Sequence, residues 1–240
     1  MIQKLTSIIP TRSGFNRYSV AWFLGALVFM FVTLPFVEDL PNGKLMEATL
    51  LTLVLATAVL AIGGRRQTLL LASGLVAPTV FTRWLHFLNL QDGTYLLHIA
   101  TFLIFIAFVV FQFLRFILHS PRVNSEVLCA AVATYLLLGL VWASAFALVA
   151  RLDPGAFSGV TETSRPLHGF SVIYFSLITL TTTGYGDIAP VSPPARLLAM
   201  LEAVTGTMYM AVLVARLVSV YSSTKPPAET RSDNKANYKP

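Results

Sequence analysis

Residues Thr179-Leu180-Thr181-Thr182-Thr183-Gly184-Tyr185-Gly186-Asp187 read TLTTTGYGD and sit between two apolar segments. Upstream, Phe170 to Leu180 (FSVIYFSLITL) is an apolar helix candidate, too short to cross a bilayer, which takes about 20 residues. Downstream, Leu197 to Ala215 carries no charge except Glu202. Gly184 and Gly186 lack a Cβ and enter φ > 0 conformations without a clash. A surface turn is the plain alternative, since Gly and Asp clusters mark turns in any protein.

The rest of the chain argues against that turn lying on a soluble domain. The 240 residues are 55% hydrophobic and 12% charged, with a mean hydropathy of +0.71. Runs free of Asp, Glu, Lys and Arg extend over Val20–Val37, Ala48–Gly64, Gln67–Thr82, Gly93–Leu114 and Val127–Ala150, and over Leu197–Ala215 once Glu202 is set aside. These predict six transmembrane helices. The third holds Gly74 and Pro78, so a kinked or partly re-entrant segment stays open there. The first follows Arg12 and Arg17 but lacks a small-residue cleavage site, and reads as a retained anchor. The single Cys129 cannot form an intrachain disulfide and reads as packing.

Charge placement gives an orientation. With both termini cytoplasmic, only Lys44, Arg83, Arg151, Arg165 and Arg196 of the seventeen Lys and Arg residues fall outside. This is the positive-inside pattern, and it puts Gly186 and Asp187 on the outer face. The net charge of +6 is then a topology signal with affinity for anionic lipid headgroups. No basic patch is interleaved with aromatics as a nucleic-acid groove requires, so membrane lipids are the expected surroundings and nucleic acid is not a partner.

The Thr182-Thr183-Gly184-Tyr185-Gly186 strand after a short apolar helix resembles the selectivity filter of potassium channels. In that family, backbone carbonyls from four loops replace the hydration shell of the ion. The resemblance covers roughly residues 126–221 and implies an all-α membrane protein with a re-entrant pore helix, a selectivity filter and a homotetrameric pore. It implies K⁺ held at Thr182, Thr183, Gly184 and Tyr185, with Gly186 completing the filter and Asp187 at the outer mouth. One filter strand per chain and no internal repeat make a closed ring of four copies the simplest assembly. The resemblance further places an inner-helix hinge at Gly206 and cavity-lining side chains at Thr207, Met210 and Val214. Close helix packing at Gly206 is the equal alternative, since small residues let membrane helices approach. Two positions depart from the family: Thr183 stands where many channels carry Val or Ile, and Ile178 where some carry a carboxylate that clamps the outer Asp.

The expected organisation is a cytoplasmic N-terminus over 1–17, a four-helix transmembrane domain over 18–120, a pore domain over 121–221 and a disordered cytoplasmic tail over 222–240. That tail is polar and too short for a ligand-binding domain. Asn124 or Ser125 is expected to cap the fifth helix. The fourth span, Thr94–Leu114, carries no Lys or Arg, only His98. Each charge crossing the field supplies about 2.3 kcal/mol per 100 mV, so steep voltage gating is not expected. His98 reads as a hydrogen-bonded interfacial residue, and Trp84 with His86 as an interfacial anchor. Glu202 is an ionisable group inside a span, a functional-site candidate by default; its expected partner is a hydroxyl behind the filter, Tyr174, Ser176 or Thr179.

The function these observations support is passive, potassium-selective conduction, with no enzyme activity and no cofactor besides the permeant K⁺. The expected location is a plasma membrane, the inner membrane of a prokaryote. Rival readings are a non-conducting or modulatory channel subunit and a membrane transporter using His98 and Glu202.

Overall fold

The computed structural model describes residues 19–37, 40–62, 66–87, 94–120, 123–159, 167 and 169–223. The expectations for the N-terminus over 1–17, for the tail beyond 223 and for the side chain of His86 lie outside the described residues.

Helices dominate. They are α1 (Ser19–Val37), α2 (Gly43–Ile62), α3 (Arg66–Phe87), α4 (Thr94–His119), α5 (Ser125–Leu152), α6 (Gly169–Leu180) and α7 (Pro193–Ser223). Two short strands, β1 (Phe157–Ser158) and β2 (Ala189–Pro190), pair antiparallel on either side of α6. Six helices are long and apolar enough to cross a membrane, and α6 is a shorter apolar helix. The chain is a multi-span, all-α membrane protein in which a two-residue ribbon is the β-structure among the described residues.

Most of the six helices overrun the charge-free stretches of sequence, because charged and polar residues occupy the end turns that reach out of the apolar layer. α2 begins at Gly43, before Lys44 and Glu47, and α3 continues past Arg83 to Phe87. α3 is a single helix through Pro78. Its 22 residues rise about 33 Å, enough to cross a hydrocarbon core of about 30 Å. The ring at Pro78 removes one backbone donor, while Thr82 Oγ1 donates to the Pro78 carbonyl at 2.8 Å and Thr79 Oγ1 to that of Leu75 at 2.9 Å.

Four helices share one core. Phe23 and Leu27 of α1, Leu55 and Ala58 of α2, Phe105, Val109 and Phe113 of α4, and Ala133 and Leu137 of α5 are buried together. Lipid tails are as apolar as these side chains, so close packing rather than escape from water selects the arrangement. α5 is capped by Asn124, whose Oδ1 accepts from Val127 N at 3.0 Å, with Glu126 in the first turn. The other half of α5 faces α6 and the ribbon: Phe146, Phe157 and Phe175 meet with ring centroids 4.9 to 5.9 Å apart in edge-to-face arrangements. This trio ties the short helix to its support.

Candidate functional site

The candidate pore site is built at the C-terminal end of α6. The helix stops at Leu180, where Thr181 N still reaches the Leu177 carbonyl at 3.0 Å and Thr183 N closes on the Ile178 carbonyl at 2.8 Å. Beyond that point the backbone alternates. Thr182, Gly184 and Gly186 have φ of 58°, 54° and 80°, while no positive φ occurs at Thr183 or Tyr185. Alternation of this kind turns successive carbonyls toward one side of the strand instead of opposite sides. A Cβ built on Gly184 or Gly186 would meet nothing within 4 Å, so glycine is required there by backbone conformation and not by space. Thr182 is a β-branched residue held in the left-handed region, which costs on the order of 1–3 kcal/mol and marks functional strands.

The end of α6 is held from two sides. Tyr135 of α5 donates its hydroxyl to the Leu180 carbonyl at 3.3 Å. Gly206 of α7 passes so near that a Cβ there would lie 2.1 Å from the same carbonyl oxygen. Close approach therefore accounts for glycine at 206. Farther along α6, Ser176 Oγ lies 2.7 Å from the Gly139 carbonyl of α5 and 2.5 Å from Glu202 Oε1 of α7. Of the three hydroxyls expected to meet Glu202, Ser176 is the one in place. Both side chains are fully buried, and Glu202 Oε2 has no partner among the described residues. α5, α6 and α7 are thus joined through one serine. α7 is anchored again lower down by Tyr209, whose hydroxyl donates to the Ala131 carbonyl at 2.7 Å.

The stretch around Asp187 makes contacts that sequence reasoning missed. Tyr174 donates to Asp187 Oδ2 at 2.7 Å, and Asp187 Oδ1 accepts from Ile188 N at 3.0 Å. Tyr174 stands one helical turn before Ile178 and on the same face of α6, so a hydroxyl takes up the outer Asp from a neighbouring position. The four-residue spacing was the available signal. The first part of the loop after α5 is pinned: Val191 N donates to the Ala156 carbonyl at 2.8 Å, and Phe157 and Ser158 pair with Pro190 and Ala189. Gly159, at φ 82°, comes so close to the filter end that a Cβ would sit 1.7 Å from the Asp187 carbonyl oxygen. A two-residue ladder carries no alternation signal, which is why it escaped notice. Arg196 Nε donates to the Pro190 carbonyl at 3.2 Å and braces the same rim.

Thr207, Met210 and Val214 are exposed along α7. Tyr185 is exposed as well. His98 is buried inside the first four helices, 3.5 Å through Nδ1 from Thr82 Oγ1, whereas Glu202 bonds to Ser176; the structure assigns the two residues different partners. Among the described residues no group of three His, Cys, Asp or Glu side chains could hold a metal ion.

A helix, a re-entrant half-helix, a strand of alternating φ and a second long helix form one continuous stretch. Residues 127–223 match the Ion_trans_2 family, described as Ion channel. The match begins in the first turn of α5 and ends with α7. Over 86 residues, 35% of this chain and 17% of the relative, the chain is 33% identical to Two pore potassium channel c of Oryza sativa subsp. japonica. It is 40% identical over 63 residues to Two-pore potassium channel 4 of Arabidopsis thaliana, covering 26% of this chain and 21% of that one. It is 44% identical over 48 residues to Calcium-gated potassium channel TvoK of Thermoplasma volcanium, covering 20% and 14%. The chain therefore spans 14% to 21% of the length of these relatives. The matched family and the named relatives are ion channels, not enzymes. No solved structure matches the chain.

Proposed function

We propose that the chain is the subunit of a potassium-selective channel that conducts K⁺ passively through a ring of four copies. The observation that carries this reading is the alternation of positive φ at Thr182, Gly184 and Gly186 directly after a helix too short to span the membrane. In a four-fold ring, the carbonyls of Thr182, Thr183, Gly184 and Tyr185 face the axis and stand in for the water of the ion, which needs no cofactor. Gly186 and Asp187 form the outer mouth, and α6 aims its carbonyl end, the negative end of its dipole, toward the ion path.

Assembly is supported by α7. Of the 18-residue apolar window of α7, 11% is buried in the single chain, against 50% for that of α5. An inner helix surrounded by copies of itself accounts for that difference, and Thr207, Met210 and Val214 then line the cavity below the filter. The positive-inside distribution of Lys and Arg supports cytoplasmic termini in a plasma membrane.

Potassium flux from the purified chain reconstituted in liposomes tests the reading. The expected result is K⁺ uptake with Na⁺ largely excluded. Equal K⁺ and Na⁺ permeability would sink the filter assignment, and absence of flux from assembled protein would favour a non-conducting subunit.

A further inference from the structure

An apolar groove of about 430 Å³ runs between the last turns of α4, the middle of α5 and the lower half of α7. Leu114 and Ile117 of α4, Leu138 of α5, and Met208 and Val212 of α7 form its walls, and Arg216 stands at one end. The volume lies in the range of ligand sites, roughly 300–1,000 Å³. From Val204 to Arg216 the α7 wall rises about 18 Å, close to one leaflet of a hydrocarbon core about 30 Å thick.

Arg216 is positioned before any ligand arrives. Its Nη2 donates to the Leu118 and Ser120 carbonyls at 3.1 Å each, oxygens at the end of α4 that lack partners within the helix. Those two bonds fix the guanidinium, and among the described residues Nη1 and Nε have no hydrogen-bond partner. Among the described residues the ion pair is Arg83 with Glu47; no carboxylate faces Arg216. Arg115, exposed and next to groove-lining Leu114, adds a second cation at this level without an acidic partner. A long apolar groove that ends in a fixed guanidinium with no carboxylate partner among the described residues fits one amphiphile: an acyl chain with an anionic oxygen-rich head.

We propose that this groove holds one acyl chain of an anionic glycerophospholipid, with the phosphodiester received by Arg216. A neutral sterol or a zwitterionic lipid fills the walls but leaves the guanidinium without net counter-charge. A helix from a second copy would set an apolar side chain against its free N–H groups, which is costly in a dry site. Binding here does not depend on conduction, so the inference stands or falls apart from the proposed channel activity.

Native mass spectrometry of the full-length assembly, loaded with phosphatidylglycerol and then washed with phosphatidylcholine, gives the test. The parent chain is expected to retain phosphatidylglycerol selectively. Arg216→Gln should lose about tenfold in that preference, the scale of one charge-assisted bond. Val212→Trp, which keeps the guanidinium and fills the groove, should lose retention altogether. Equal retention of both lipids by the parent, or undiminished phosphatidylglycerol on the assembled Val212→Trp variant, overturns the proposal. So does efficient cross-linking of Val212→Cys to Leu138→Cys between copies, which makes another chain the occupant.

Discussion

Thr57 in α2 and Ser176 in α6 are both hydroxyls within apolar helices. Thr57 turns back on the Leu53 and Val54 carbonyls of its own helix, at 3.0 and 2.9 Å. Ser176 reaches across to α5 and α7. The same contrast separates the two regions. In α1 to α4, Thr33, Thr52, Thr57 and Thr79 all satisfy themselves locally, and a polar cluster joins helices at one end around Thr82, His98, Thr101, Arg83 and Glu47. In α5 to α7, Tyr135, Ser176 and Tyr209 each bridge two helices. A region that must hold a strained strand in place is cross-linked by directional bonds; a region that only surrounds it is packed.

The sharpest way to break this comparison is at the filter. Gly184→Ala or Gly186→Ala should abolish selective K⁺ flux while the assembly remains folded, because a Cβ at either position meets no neighbour and conflicts only with the positive φ. Selective flux through the alanine variants would show that the alternation is incidental. Gly206→Ala is the opposite case. Its Cβ overlaps the Leu180 carbonyl, so α6 or α7 must move, at a cost of about 1–3 kcal/mol readable as a lower thermal midpoint of the assembly; a midpoint equal to the parent's would make Gly206 a flexible joint instead of a contact.

Next in size is the serine bridge. Ser176→Ala and Glu202→Ala should each destabilise the assembly by about 1–2 kcal/mol, since each leaves a buried polar atom unmatched. Glu202→Gln, which can both donate and accept, should stay near the parent. Thr57→Ala in α2 should change stability by no more than about 0.5 kcal/mol. If chemical or thermal unfolding ranks Thr57→Ala with Ser176→Ala, the division between the two regions is wrong. The smallest expected effect is on voltage. From Thr94 to Leu114 α4 has no Lys or Arg, so open probability should vary shallowly between about −100 and +100 mV; a slope equal to several elementary charges would make the first four helices a sensor.

Much of the fold was legible because bilayer thickness imposes a single length scale on uncharged runs. The six spans emerged from that rule, with errors of one to two turns where charged and polar residues extend a helix. The filter strand was legible through Gly184 and Gly186, whose missing Cβ atoms announce unusual backbone. Thr182 was not, since a β-branched residue does not favour the positive φ it adopts just beyond the end of α6. Close packing at Gly206 was legible as one of two readings, but not its neighbour, the Leu180 carbonyl, which is 26 residues away in sequence. Tyr174 and Asp187 were likewise separated by the filter itself. For His98 a hydrogen-bonded role was legible, but not its partner, Thr82 of α3, nor its burial between helices.

The close pass of Gly159 over Asp187 bears on how this protein can be altered without being broken. Loops on membrane proteins are the usual places for tags, epitopes and evolutionary insertions. Here Ala156, Phe157 and Ser158 are paired with the segment from Ala189 to Ser192, and Gly159 passes close over the Asp187 carbonyl. An insertion between Ala156 and Gly159 would shift that register and push on Asp187. The start of this loop is thus mechanically continuous with the backbone around Asp187, and a change made in the one is felt in the other.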